Sequence, residues 1–511
     1  MRDEYPGDPA APDTLEGGGQ AASAAPRGGT ARREFLKASA GLVAGGAAAQ
    51  MLPGRALAQE GGVANAEAEL RGLREQRRIL LRGGVVLTLD RQVGDFPQAD
   101  VLIEDGKIRE VRPNIAVSGD AAVVDATNMI VLPGFVDTHH HHYQGILRNV
   151  LPDGILADYF RDVSGLLTRA YEPADAYAGE LVTALGAIER GITTVVDTSQ
   201  VSHSPAHTDE AIRGLRESGI RALFAYSTGQ GDAVQHPQDI RRLKPQYFAS
   251  NDQLLTLALQ AGLANAAVWP LARELDVPIV EHVVGGVTPA SDILLELAAG
   301  RQLGPDVEFI HCTGLTAPAW QAIADNGIHV SLAVPIEMQM RHGMPPIQQT
   351  LDHGLRPSLS SDVDTNMAQD PFTLMRATFT LQRVLLNERA LHGEENLPPL
   401  LTARDVLEFA TIEGARGAHL DRKVGTLTPG KEADVVLLRT DRLNVWPLNN
   451  AAGAVVTLMD SSNVDGVFIA GRVRKWRGSL VDVDVARVLR LAQESRDAVM
   501  RRAGYERNVV G

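Results

Sequence analysis

From Ile79 onward, short apolar runs alternate with turn residues along the whole chain. Ile79–Leu89 reads as two strands broken by Gly83-Gly84, and Val101–Ile108 reads as a hairpin whose Asp105-Gly106 supplies a tight turn. Ala433–Leu438 and Val467–Val473 have the same β character more than 300 residues later. Between these ends lie eight strand-like runs: Ile130–Asp137, Ile192–Asp197, Ala222–Tyr226, Leu254–Leu259, Val277–His282, Val307–His311, Ile328–Ala333 and Arg356–Ser360. Helical segments separate them, among them Ala174–Arg190, Thr208–Ser218, Ala264–Leu275 and Ala317–Asn326. Buried strands alternating with helices predict a parallel α/β fold, and eight of them predict a (β/α)8 TIM barrel. A doubly wound sheet would need a Gly-rich phosphate loop after an early strand, and none is present. The expected organisation is a leader over 1–58, a linker over 59–78, and a small β-sandwich built from 79–128 and 421–480. The barrel is expected over 129–420, with a terminal helix over 481–511 that leaves room for a homo-oligomer contact.

Charge and composition narrow the partners. The chain carries 49 Lys and Arg against 63 Asp and Glu, a formal net charge of −14. Phosphate backbones need clustered basic residues, so nucleic acid is excluded as the main partner. No run approaches the ~20 apolar residues of a bilayer span, so stable membrane insertion is not expected. Cys312 is the single cysteine, which excludes an intramolecular disulfide and favours a packed thiol. Residues 1–31 are too rich in Gly, Ala, Pro and Ser to bury a core. The Arg32-Arg33-Glu34-Phe35-Leu36-Lys37 run, the Ala/Gly-rich stretch after it and Ala56-Leu57-Ala58 resemble a twin-arginine export signal. That resemblance implies a passing encounter with the twin-arginine translocation machinery, cleavage after Ala58, and a periplasmic or extracellular product.

The chemistry concentrates at strand ends. His139-His140-His141-His142 follow the first barrel run, and a period of two puts Asp137, His139 and His141 on one face, with His140 and His142 on the other. His282 ends the fifth run, His311 ends the sixth and Asp362 follows the eighth. In a parallel barrel these ends converge on one rim, where imidazoles and a carboxylate are able to share a divalent ion.

The run Pro133–His141, the strand-end His282, His311-Cys312-Thr313-Gly314-Leu315, Ser361-Asp362 and the closing Gly425–Val436 together resemble the amidohydrolase superfamily, in its branch of deaminases and triazine-type hydrolases. The resemblance implies a small-molecule substrate and one divalent ion, zinc or iron, held by His139, His141, His282 and Asp362. It further implies that Asp362 moves protons while His311 stabilises charge on the substrate. Binuclear relatives carry a lysine at the end of the fourth strand, and Leu254–Gln260 has none. Many deaminases of the branch carry a Glu three residues after the third His, where this chain has Gly285. Tyr143, Gln144 and Glu337 are candidate substrate-binding residues, Glu337 also as a replacement acid, and His342 is a further polar neighbour. Asp197 and His203 are expected at the rim without an assigned role. The leading reading is hydrolysis of a C–N bond in a cyclic amide, lactam or N-heterocycle. An aminohydrolase releasing ammonia is the alternative, and a catalytically inactive binding protein on the same fold is the third reading.

Overall fold

The computed structural model describes residues 66–510; the export-signal segment lies outside the described residues. A short helix over 66–75 leads into β1 (Arg78–Val86), β2 (Phe96–Glu104), β3 (Lys107–Arg112), β4 (Ala121–Asp125) and β5 (Met129–Pro133). The chain then makes β6 (Phe135–His140), β7 (Ile192–Ser199), β8 (Arg221–Tyr226), β9 (Leu255–Leu259), β10 (Ile279–Val284), β11 (Val307–Thr313), β12 (His329–Leu332) and β13 (Ser358–Leu359). It returns to the first unit with β14 (Val435–Arg439), β15 (Val464–Ile469), β16 (Arg472–Trp476) and β17 (Ser479–Leu480), and ends in the helix Val485–Ala503. Among the described residues no helix is long and apolar enough to cross a membrane.

β6 to β13 pair in sequence order, each parallel to the next, which gives the (β/α)8 barrel the alternation predicts. Val136, Val196, Leu223, Ala225, Ala258, Val280 and Ile310 fill its floor, so the barrel is a packed core rather than a pore. The last gap, between β13 and β6, is closed by Asp362, three residues beyond the end of β13. The Asp362 N–H donates to the His139 carbonyl at 2.9 Å, and the His141 N–H donates to the Asp362 carbonyl at 2.9 Å. Deeper in the barrel, the Thr138 hydroxyl lies 2.6 Å from that of Ser331 and 2.7 Å from that of Ser358.

The remaining strands form one nine-stranded sheet in the order β17-β16-β15-β14-β5-β1-β2-β3, with β4 pairing β1. Ile79, Leu81, Val101 and Ile103 from its first half share one core with Val435, Leu437, Phe468 and Trp476 from its second. A β-sheet domain is thus assembled from both ends of the chain.

The run Ile130–Asp137, expected as a single strand, is two strands in two sheets. β5 pairs β1 and β14 in the terminal domain, while β6 opens the barrel. The switch is at Gly134, whose N–H donates to the Asp434 carbonyl, whereas the next N–H, of Phe135, donates to the Gly191 carbonyl in the barrel. A Cβ at residue 134 would lie 2.0 Å from Thr193 Oγ1, so only glycine allows this approach. Hydrophobicity runs unbroken across Gly134 because both strands are fully buried, and for that reason the pattern hides the break.

A buried ion pair locks the two units together. Arg221, at the start of β8, donates from Nε and Nη2 to both carboxylate oxygens of Asp434, each at 2.9 Å, and also bonds Glu432. Arg221 is fully buried. Removing one partner of such a pair leaves an uncompensated buried charge, at a cost of about 3–5 kcal/mol. Asp434→Ala is therefore expected to lower the urea midpoint by that loss of stability at an unchanged slope; a loss under ~1 kcal/mol would show that Glu432 alone holds the guanidinium.

Candidate active site

The barrel rim brings the strand-end residues together. His139 Nε2 lies 3.0 Å from Asp362 Oδ1 and 3.2 Å from His282 Nε2. His141 Nε2 is 3.6 Å from Asp362 Oδ1, and His311 Nε2 is 3.7 Å from Asp362 Oδ2. Asp362 is thus the point on which the imidazoles of His139, His141 and His311 converge, while His282 joins the cluster through His139 and His311. Backbone and side-chain partners behind the rings fix their orientation. His141 Nδ1 donates to the Thr198 carbonyl at 3.0 Å, which leaves its Nε2 lone pair facing Asp362. His139 Nδ1 is 3.1 Å from Thr198 Oγ1, and the Gln260 amide is 3.3 Å from His282 Nδ1.

Burial keeps these rings neutral. It pushes the imidazolium pKa of His139 and His282 down and that of His141 to about 3, and repulsion among the rings adds to the effect. Burial alone would raise Asp362, yet the hydrogen bond to His139 and the surrounding imidazoles hold its carboxyl well below the usual range. His311 behaves differently. Burial pushes it down, but the Glu337 carboxylate 3.1 Å from its Nδ1 and the charge of Asp362 leave it raised overall. His311, Cys312 and Asp362 all have left-handed backbone, with φ of 73°, 54° and 62°. Such conformations cost about 1–3 kcal/mol each and persist where surrounding structure imposes them. The barrel-closing bonds impose it at Asp362.

Above these groups opens a cavity of about 430 Å³. Tyr143, Tyr159, Phe160, Leu263, Val284 and Met340 make its apolar walls, and Gln200, Gln230 and Gln260 contribute amides. His342 also lines it, its ring 4.7 Å from that of His311.

Several sequence candidates are placed differently from expectation. Asp137 does not share a face with His139 and His141. The β6–β7 register shifts between Asp137 and His140, and this bulge reverses the in–out alternation. Asp137 instead accepts from Ser361 and from the Gln369 amide at 2.9 Å, and that same amide lies 3.1 Å from His142 Nε2. Gln144 sits behind the pocket wall, its amide donating to the hydroxyls of Tyr143 at 2.9 Å and Tyr159 at 2.6 Å. Glu337 is fully buried behind His311, where it also accepts from the Ala333 N–H; it faces no substrate space. Cys312 is a buried packed thiol whose pKa burial pushes up.

Asp197 lies away from the pocket, with His142 and Glu180 in a second, wholly buried polar cluster. His203 braces the rim: its Nε2 donates to the Thr168 carbonyl at 2.8 Å and its Nδ1 accepts from the Gln230 N–H at 2.9 Å. Glu281 faces away from His282, as expected, and is held by Trp269 Nε1 and the N–H groups of Ala261 and Gly262. Gly285 has a steric reason to lack a side chain, since a Cβ there would lie 2.7 Å from the Gly314 carbonyl oxygen and 2.8 Å from that of Thr313. Sequence reasoning missed Thr198, Tyr159 and Gln260. Only Gln260 had a signal, being the polar residue that follows the fourth barrel strand.

These groups tie stability to pH. His139, His141 and His282 bind protons more weakly folded than unfolded, so at these rings the unfolded chain gains protons first as pH falls below about 6.5. The stability they confer is complete above that pH and is lost toward the folded value of about 3 at His141. Buried carboxyls raised to about 6 at Asp137 and about 7 at Glu281 act in the opposite sense, so the rings are read by difference: metal-free wild-type protein is expected to lose more melting temperature from pH 6.5 to pH 4 than His141→Asn. Equal losses in the two proteins by scanning calorimetry would contradict a neutral buried ring at His141.

Comparison with known proteins agrees with this architecture. A 5'-deoxyadenosine deaminase of Methanosarcina mazei is 26% identical over 446 residues, which cover 83% of this chain and 99% of that protein. A 5-methylthioadenosine/S-adenosylhomocysteine deaminase of Desulforudis audaxviator is 28% identical over 442 residues, 82% of this chain and 98% of that protein. Among solved structures, an adenosine deaminase from Xanthomonas campestris with bound zinc superposes with a TM-score of 0.73 at 20% identity, covering 83% of this chain and 98% of that one. The atrazine chlorohydrolase of Arthrobacter aurescens complexed with zinc does so at 0.70 and 23% identity, covering 82% and 100%. The family model described as "Amidohydrolase family" matches residues 130–474, which span the barrel and most of the returning sheet. The chain belongs to the amidohydrolase family and is a hydrolase of carbon–nitrogen bonds other than peptide bonds.

Proposed function

We propose that the chain is a metal-dependent hydrolase that opens an amide-type C–N bond in a cyclic amide, lactam or related N-heterocycle, with Asp362 as its single proton-transfer group. The observation that carries this reading is that, among the described residues lining the pocket, Asp362 is the only acid. A second acid poised for a departing amino group is absent there, Gly285 has no room for one, and Glu281 and Glu337 are committed elsewhere.

The donor set fits a divalent ion. Metal bonds of ~2.0–2.1 Å at tetrahedral angles separate neighbouring ligand atoms by about 3.3 Å. The spacings of 3.0 Å from His139 to Asp362, 3.2 Å from His139 to His282 and 3.6 Å from His141 to Asp362 bracket that value, and the two triads His139–His141–Asp362 and His139–His282–His311 share His139. Neutral imidazoles with outer nitrogens tied back are ready ligands. Zinc suits three nitrogens and one oxygen, iron accepts the same set, and the two zinc-bound structural neighbours support zinc. When bound, such an ion supplies Lewis acidity and activates water for attack.

The rest falls to the chain's own residues. Asp362 accepts the proton of the attacking water on the oxygen facing the pocket and returns it to the leaving nitrogen. His311, whose Nδ1–H is held by Glu337, donates from Nε2 as the imidazolium to the carbonyl oxygen as negative charge grows there. Glu337 is a positioning residue, because its carboxylate favours the imidazolium of His311 and fixes its orientation. The apolar walls exclude bulk water and strengthen these interactions.

A second reading, release of ammonia from an aminated N-heterocycle, is favoured by the activities for which the deaminase relatives are named. In that case Asp362 passes the proton to the departing amine.

Asp362→Asn in zinc-supplemented protein is expected to lower kcat by about 10²–10⁴-fold with the fold retained by circular dichroism. Turnover of lactams and hydantoins without free ammonia supports the first reading. Ammonia from aminopurine nucleosides in a glutamate-dehydrogenase-coupled assay would replace it with the second.

A further inference from the structure

Away from the rim, where Asp362 and His311 stand, the described walls of the pocket carry no counter-charge. Apart from that carboxylate, the described lining residues are aromatic, aliphatic, hydroxyl, amide or imidazole groups. Arg169 donates to Gln230 Oε1 at 2.5 Å but does not itself line the cavity, and Arg161 is engaged by Asp158 and Asp162. An anionic or cationic substituent held against Tyr143, Tyr159 and Phe160, away from the rim, would be desolvated among apolar walls with no partner, which is strongly unfavourable.

Among the described lining residues, Thr168 Oγ1 and the His342 ring are buried without a hydrogen-bond partner, and the ring stands beside His311. His342 is 6% exposed, and both its ring nitrogens are buried without a hydrogen-bond partner. Its backbone is fixed on both sides, while the ring is free to turn a nitrogen toward a group entering the cavity. Its N–H donates to the Glu337 carbonyl at 3.2 Å, and its carbonyl accepts from Thr313 Oγ1 at 2.8 Å. The ring stands edge-on to His311, with one ring nitrogen within 4.8 Å of a His311 ring nitrogen and of an Asp362 carboxylate oxygen. A neutral imidazole offers one donor and one acceptor, and leaving both unmet in a buried wall is costly unless something entering the cavity meets them.

We propose that this pocket takes an uncharged, largely apolar ring substrate, and that His342 forms the hydrogen bond that orients the ring between Asp362 and His311. The proposal rests on reading the rim as a hydrolytic site. It assigns selectivity to neutral over charged members of any one scaffold, and gives the relay Glu337–His311 a second neighbour that touches the substrate. A ring of this kind meets Tyr143, Tyr159 and Phe160 on its faces and His342 at one polar edge.

The test uses the zinc-loaded full chain and matched trios of lactam, hydantoin and aminopurine rings, each with a benzyl, a carboxybenzyl or an aminomethylbenzyl substituent. For whichever scaffold is turned over, the neutral member is expected to have a kcat/KM at least ~100-fold above either charged one. A charged member within about threefold of the neutral one overturns the proposal while leaving the hydrolase reading intact. His342→Phe is expected to raise KM about tenfold or more at unchanged metal content, with His342→Asn restoring part of it. Unchanged KM in both variants overturns the orienting role. If no scaffold is turned over, the hydrolase reading fails, and calorimetric binding of the same trios decides the inference alone. Tighter binding of the neutral member then supports it, and equal or tighter binding of a charged member, or binding of none at millimolar concentration, overturns it.

Discussion

Everything at the rim hangs on how the barrel closes. β13 is only two residues long and reaches β6 through Asp362, whose N–H and carbonyl bridge to His139 and His141. The same residue places its carboxylate against the imidazoles of the two residues its backbone holds. Closure of the fold and assembly of the proton-transfer group are therefore one event. The left-handed backbone at Asp362 follows from this double duty, since a regular strand would send the carboxylate elsewhere.

The four consecutive histidines illustrate how one strand serves two environments. His139 and His141 face the rim, while His140 and His142 face a buried polar layer with Asp364, Glu180 and Asp197. The β6 bulge between Asp137 and His140 sets this partition. It turns His139 inward directly after Thr138, which bonds the barrel floor, and leaves Asp137 facing Gln369. Without the extra residue, either Thr138 or His139 would leave the barrel interior.

Much of this was legible in the sequence because buried parallel strands announce themselves as apolar runs and because chemistry gathers at their ends. The barrel, the terminal sheet and the convergence of His139, His141, His282, His311 and Asp362 all follow from that logic. What stayed hidden has a common cause: periodicity assumes regular strands and says nothing of side-chain depth. It merged β5 with β6 across Gly134, misplaced Asp137 across a bulge, and set Gln144 and Glu337 in the pocket when they stand behind it. His342 shows the converse, a loop residue with no periodic signal that the fold brings over the rim. Gly285 could be read as a missing acid, but only the neighbouring carbonyls explain why no side chain fits.

The most direct measurement is a crystal structure of zinc-loaded protein with anomalous data collected at the zinc edge. The account predicts one anomalous peak per chain, bonded to His139, His141, His282 and Asp362. A peak elsewhere, two peaks at the rim, or no peak in fully loaded crystals would contradict it.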